Sequence, residues 1–262
     1  MNTSTAATVL QDIGILVTRP PDQAQDLIQT LASLGARPIA FPALAILPPR
    51  DADALDRVLA GLADFQLAIF ISPSAVEKGM AAVRARGSWP PQLAVACVGQ
   101  GTAGALAACG IRDVLVPDAG ADSTHLLAMP RLQDVDGQAV ILFRGEGGSP
   151  RLADTLDARG AHVTHAVCYR RDLPAEADAA PVLAAFAAGR IQAVTAYSGE
   201  TLDNLFHLLG PAGAEFLRRT PLFVPHPRIA SHAATRGVQN ILSSPDGETR
   251  LILSLVEYFS HA

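Results

Sequence analysis

The sequence predicts an α/β protein of two similar parallel-sheet lobes, flavodoxin- or Rossmann-like in type, arising from internal duplication and joined by a two-stranded β-ladder hinge. Three observations predict it. A repeat recurs at an offset near 125 residues, strand-type runs alternate with helix-type runs inside each copy, and the proline-rich breaks fall within the copies rather than between them.

The repeat is sought first because it decides the architecture. Segment 15–39, ILVTRPPDQAQDLIQTLASLGARPI, aligns without gaps on 140–164, VILFRGEGGSPRLADTLDARGAHVT. Arg19/Arg144, Leu27/Leu152, Thr30/Thr155, Leu31/Leu156, Gly35/Gly160 and Ala36/Ala161 are identical pairs. Each copy reads as a β-branched strand, a Gly/Pro loop, a helix with apolar 3–4 spacing and a glycine stop. A second unit, LAIFISPSAVEKGM (67–80), matches AVTAYSGETLDNLF (193–206) and superposes Ser72 on Ser198. A third, VACVGQGTAGALAACGI (95–111), matches LFVPHPRIASHAATRGV (222–238), and a weaker fourth pairs 122–127 with 246–251. Four matches in one order at one offset define a duplication. Alternating strands and helices then imply parallel sheets covered on both faces, with right-handed crossovers.

The breaks set the lobe boundaries. Pro38, Pro42, Pro48 and Pro49 follow the first βα unit, and Pro174 and Pro181 follow its second copy. The expected partition is 1–35 plus 173–262 for one discontinuous lobe and 49–164 for the other. Residues 36–48 and 165–172 have strand character and are expected to pair as the hinge. The competing partition is two successive lobes split near 137, because most domains are contiguous in sequence.

Composition excludes several classes. With 262 residues, 49% of them hydrophobic, the chain can bury a substantial core. Its mean hydropathy is +0.25, but the longest apolar runs, such as Leu67–Ile71, fall far short of the ~20 residues that cross a bilayer. The first basic residue is Arg19, so no basic leader region is read. Cys97, Cys109 and Cys168 form no CxxC pair, as expected in a reducing, cytoplasmic compartment. His162 and His165 lack a nearby carboxylate or thiol to complete a site, so no metal is expected. The net charge of −5 and pI near 5.8 argue against a nucleic-acid partner. With neither heptads nor a long apolar edge strand, a monomer is expected.

In open parallel sheets ligands bind beyond the carboxyl ends of strands, where helix starts offer free amides and a positive dipole end. Six loops qualify: Thr18–Pro21, Ser72–Ser74, Gly99–Thr102, Arg144–Ser149, Ser198–Glu200 and Pro225–Arg228. From them come the candidate ligand residues Arg19, Ser72, Ser74, Gly99, Gly101, Thr102, Arg144, Gly145, Glu146, Gly147, Ser198, Gly199, His226 and Arg228. Each also has a purely structural reading. The serines can be helix caps, the glycines can permit tight turns, and the arginines can be surface ion pairs. Glu146 can compensate a helix start. No carboxylate in sequence reach completes a triad around His226. GEGGSP is not GxGxxG, GQGTAG fits that pattern only loosely, and a phosphate loop is absent, as a single lysine, Lys78, already suggests. No cofactor is expected. Such a cleft suits a polyanionic small molecule whose reaction needs positioning more than a strong nucleophile.

At these loops the chain resembles the uroporphyrinogen-III synthase family. The matching stretches are FISPSAV (70–76), VACVGQGTA (95–103), LFRGEGG (142–148), LADTLDARGAHV (152–163), VCYRR (167–171), YSGETLDNL (197–205) and VPHPRIASHAATRG (224–237). They follow the family's order from Ile15 to Phe259. The resemblance implies two α/β lobes with the N-terminal βα unit completing the C-terminal lobe. It also implies cyclisation of hydroxymethylbilane, a linear tetrapyrrole with eight carboxylates, with loss of water and inversion of ring D through an azafulvene and a spiro intermediate. It implies no cofactor, a largely main-chain grip on the carboxylates, and transient contact with the preceding pathway enzyme. By position, Tyr169 in VCYRR is the implied proton donor to the departing hydroxyl. Its alternative is a hinge-packing aromatic. Ser72, Thr102 and Ser198 match cleft-facing hydroxyl positions, whereas Ile71 and Tyr197 depart from the hydroxyl residue many members carry there. The competing function is a two-lobed cytosolic anion-binding protein without catalysis. A nucleotide-dependent transferase or oxidoreductase ranks third.

Overall fold

The computed structural model describes residues 9–260 other than 119, 121 and 246. The ends of the expected discontinuous lobe, 1–8 and 261–262, and position Asp246 of the fourth repeat match lie outside the described residues.

The chain begins with β1 (Gly14–Val17), α1 (Pro21–Ser33) and β2 (Arg37–Ala40). It continues through β3 (Ala45–Leu47), α2 (Ala52–Ala60), β4 (Leu67–Phe70), α3 (Pro73–Arg86), β5 (Ala94–Cys97) and α4 (Gln100–Ala108). Next come α5 (Ser123–Ala128), α6 (Pro130–Gln133), β6 (Ala139–Gly145), α7 (Arg151–Ala158) and β7 (His162–Asp172). The last part holds α8 (Ala180–Ala187), β8 (Ala193–Thr195), α9 (Gly199–Arg219), β9 (Leu222–Val224), α10 (Pro227–Thr235), β10 (Ile241–Ser243) and α11 (Glu248–Ser260).

Two compact units result. One holds the chain up to Ala45 and from Asp172 onward, and the other holds Ile46–Arg171, which includes position 137. The first contains a sheet of order β10-β9-β8-β1-β2, the second a sheet of order β3-β7-β6-β4-β5. β1 pairs in parallel with β2 and β8, β9 with β8 and β10, β6 with β4 and β7, and β4 with β5. Repeat partners occupy matching places: β2 with β7, β1 with β6, β8 with β4, and β9 with β5. The counterpart of β10 is a single parallel bridge from Ala96 to Leu115. Read this way, each sheet follows the flavodoxin-like 2-1-3-4-5 order. Each also takes its first βα unit from one copy and its later strands from the other.

Local sequence accounts for the helix bounds. Ser72 caps α3 by accepting from the Ala75 amide at 3.1 Å, with Pro73 at the first helical position, where its missing N–H costs nothing. Gly35 and Gly160 close the repeated βα units at φ 89° and 85°. At Gly160 a Cβ would lie 2.0 Å from an Asp136 oxygen, so glycine is needed there twice over. The strands are buried on both faces: in β4, Leu67 and Ile69 join one core cluster while Ala68 and Phe70 join the other. Phe70 stacks on Phe143 with centroids 4.3 Å apart.

The strands expected between the lobes take this form. β3, within 36–48, is hydrogen-bonded to β7, which runs unbroken from His162 to Asp172, at the edge of the second sheet, whereas β2 pairs with β1 in the first. Pro38 lies in β2, an edge strand, where its absent N–H interrupts no inner ladder.

Candidate active site

All six sequence-selected loops lie at carboxyl ends of strands and lead into helices. They fall into two sets, one per unit. In the unit Ile46–Arg171, β4, β5 and β6 deliver Ser72–Ser74, Gly99–Thr102 and Arg144–Ser149. In the other, β1, β8 and β9 deliver Thr18–Pro21, Ser198–Glu200 and Pro225–Arg228.

The first set centres on Tyr169, which β7 carries beside the end of β6. Its side chain is 1% exposed, and its hydroxyl shares a 3.0 Å hydrogen bond with Ser72 Oγ. The ring lies against Gly145, where an added Cβ would meet Cε2 at 2.6 Å and Cζ at 2.7 Å. Glu146 N–H donates to the Tyr169 carbonyl at 2.7 Å, fixing the loop to β7. The Glu146 carboxylate accepts from the Arg50 amide at 2.6 Å and pairs with the Arg50 guanidinium. Arg144, half-buried at the end of β6, bonds the carbonyls of Gly145 and Gly147. It also lines a pocket of about 220 Å³ with Ile71, Val98, Leu142, Leu152, Asp122, Ser123 and Ser149. The His125 and Thr124 amides, together with the His125 ring, hold the Asp122 carboxyl below the usual carboxylate range.

Ser74 and Thr102 lie in the first turns of α3 and α4 and are buried. Gly99 has φ 177°, extended backbone open to any residue, so no tight turn requires it. Gly101 has open space at its Cβ position, and Gly147 is left-handed at φ 70° with open space likewise. Burial pushes the Cys168 thiol up to about 12 and raises Cys97 too, which removes both as nucleophiles.

In the second set Arg19 is engaged. Its guanidinium pairs with Glu248 at 2.5 Å and lies 4.3 Å over the Tyr197 ring, while Tyr197 Oη donates to the same Glu248 oxygen at 2.9 Å. Burial, and then the neighbouring carboxylate, raises the Tyr197 phenol well above its ordinary value. Arg19 and Tyr197 stand at the repeat positions of Arg144 and Ile71. The crevice between the inner strands therefore holds a phenol in one unit and lines the Arg144 pocket in the other. Ser198 caps α9 through the Thr201 amide at 3.0 Å and bonds the Thr201 hydroxyl at 2.8 Å. Gly199 approaches the His232 ring, to which a Cβ would come within 3.1 Å. His226 caps α10 by accepting from the Arg228 amide at 3.1 Å, and both residues are exposed. His232 bonds both oxygens of Asp203 at 3.0 Å, a pair the sequence reading missed.

The model of the family described as uroporphyrinogen-III synthase HemD matches residues 25–249. The chain belongs to the uroporphyrinogen-III synthase family. It is 30% identical to uroporphyrinogen-III synthase of Escherichia coli over 247 residues, covering 94% of this chain and 100% of that one. It is 32% identical to the synthase of Synechococcus elongatus over 199 residues, 74% of each chain. A crystal structure of a mutant uroporphyrinogen III synthase from Thermus thermophilus superposes with a TM-score of 0.63 at 18% identity. It covers 95% of this chain and 100% of that one, a likeness of fold. In this member of the uroporphyrinogen-III synthase family, Glu248 and Arg50, like Asp203, are partners that sequence reasoning did not find. Glu248 lies inside the weak fourth repeat match, whereas nothing in the sequence sets Arg50 against Glu146.

Proposed function

We propose that this chain closes hydroxymethylbilane to uroporphyrinogen III, with loss of water and inversion of ring D. The observation that carries this reading is family membership along residues 25–249. The strand-end loops agree with it, since they offer main-chain donors and a half-buried arginine, and β7 carries the Tyr169 phenol against Ser72.

The chemistry asks mainly for geometry. The C–O bond of the hydroxymethyl arm breaks with its electron pair on oxygen, and the Tyr169 phenol proton completes the departing water. The pyrrole nitrogen supplies electrons to form the azafulvene, and its N–H proton restores the phenol. The substituted carbon of ring D attacks, and the spiro intermediate fragments and recloses with ring D inverted. Holding that curled geometry is an orientation effect, with one acid assisting departure. Each unit by itself offers main-chain amides to carboxylates at its strand-end loops, among them Gly99–Gly101 and Ser198–Gly199, while the Glu146 and Arg228 amides are already donated to the Tyr169 carbonyl and the His226 ring. Arg144 and Arg228 are cations at these loops. Local amides supply positive potential in a chain of net charge −5. The chain works as a cytosolic monomer that meets the preceding pathway enzyme transiently. No helix among the described residues is long and apolar enough to cross a membrane.

The test is incubation with freshly generated hydroxymethylbilane, followed by isomer analysis of the oxidised product. Isomer III above a no-enzyme control is expected. Isomer I alone overturns the reading, and binding without turnover favours an anion receptor.

A further inference from the structure

We propose that Ser72 is a positioning residue that joins the Tyr169 phenol to the N-terminal end of α3; this rests on the reaction proposed above. Tyr169 is 1% exposed, and Ser72 Oγ lies 3.0 Å from its hydroxyl. The same Oγ accepts the Ala75 amide at 3.1 Å, so one lone pair is committed to the helix start. Its remaining lone pair and its proton face the phenol. With Ser72 accepting, the phenol proton is parked against the serine. With Ser72 donating, the phenol proton is free to turn toward a leaving hydroxyl, and the phenolate left behind keeps a donor. That donor is itself polarised by the positive end of a 14-residue helix.

The duplication provides an internal control. Ser198 stands at the repeat position of Ser72, caps α9 through Thr201 N–H, and spends its second bond on the Thr201 hydroxyl of its own helix. The residue 125 positions before Tyr169 is Leu44, which is buried and apolar. Helix capping therefore explains Ser198 completely but leaves the Ser72–Tyr169 bond unexplained. Gly145 completes the arrangement by letting the ring lie against the β6 backbone.

The experiment combines turnover with the tyrosine signals of the full chain. It contains three tyrosines, so labelling with tyrosine carrying ¹³C at Cζ gives three resonances assignable by single Phe variants. Ser72→Ala is expected to lower kcat about tenfold with KM within about twofold, and to shift the Tyr169 resonance. Ser72→Thr restores both. Ser72→Gly removes the hydroxyl while retaining a tolerated cap residue, and matches Ser72→Ala in both readouts even if the alanine chain folds poorly. In a Tyr169→Phe background, Ser72→Ala costs no further kcat, because the two act as one unit. An unmoved Tyr169 resonance, or the full tenfold loss repeated in the Phe background, overturns the assignment of Ser72 while isomer III production upholds the reaction. Isomer I alone from the unmutated chain overturns the reaction, and the role of Ser72 with it.

Discussion

Arg19 lies over the ring of Tyr197, its guanidinium carbon 4.3 Å from the ring centroid, and both side chains end on the same oxygen of Glu248. A hydrogen bond to a charged acceptor contributes about 1.5–3 kcal/mol when buried and less when partly exposed, as here. Tyr197→Phe retains the stacked cation and loses that bond. We expect Tm to fall by about 2–4 °C, read by calorimetry or circular dichroism. An unchanged Tm shows that the bond contributes nothing net.

Two buried groups make the fold sensitive to alkali. Cys168 is pushed up to about 12 from an ordinary value near 9, and Tyr197 is raised as well, both chiefly by burial. Between the unfolded and folded values the native chain holds protons that the unfolded chain has released. Their contribution is therefore fully present below about pH 9 and is lost as pH rises toward 12. Urea midpoints measured from pH 8 to 11 should fall, and fall less steeply for Cys168→Ala. Equal slopes for the two proteins would exclude Cys168 as a cause.

Gly145→Ala tests how closely the phenol is held. The new Cβ would sit 2.6 Å from a Tyr169 ring carbon, so the ring or the strand has to move. Overpacking of this kind costs about 1–3 kcal/mol. Turnover should drop more than about tenfold if Tyr169 acts on the substrate, since small misplacements cost more in rate than in stability. A variant with lowered Tm and full turnover would reduce Tyr169 to a packing residue.

A fragment of residues 45–172 should fold alone. It contains every strand of the second sheet in one contiguous stretch. We expect cooperative thermal unfolding and dispersed amide resonances. A fragment of residues 1–137 contains β1 and β2 but lacks β8, the inner neighbour of β1, and lacks β6 and β7 of the second sheet. It should not melt cooperatively.

Much of this molecule was legible because the code used was local. The glycine stops at Gly35 and Gly160 and the caps at Ser72 and Ser198 need only neighbouring residues to act. The six strand-end loops followed from those helix starts. What escaped notice depends on side chains meeting across long stretches of chain. Arg50 reaches Glu146 and Arg19 reaches Glu248 through tertiary placement, which periodicity does not encode.

The exchange of βα units between copies has a consequence for synthesis. The Gly14 amide bonds the side chain of Gln192, 178 residues further along, and β1 pairs with β8 in the same region. At about 5–20 residues per second, β1 and β2 emerge from the ribosome roughly ten to forty seconds before their inner partner exists. Meanwhile the second sheet can be completed from its own contiguous stretch. Until β6 is made, the open side of β4 faces a nascent β1 that is β6's near copy, so this chain has a built-in opportunity to pair with the wrong half of itself. Translation slowed before β6 should raise the yield of that misfolded species.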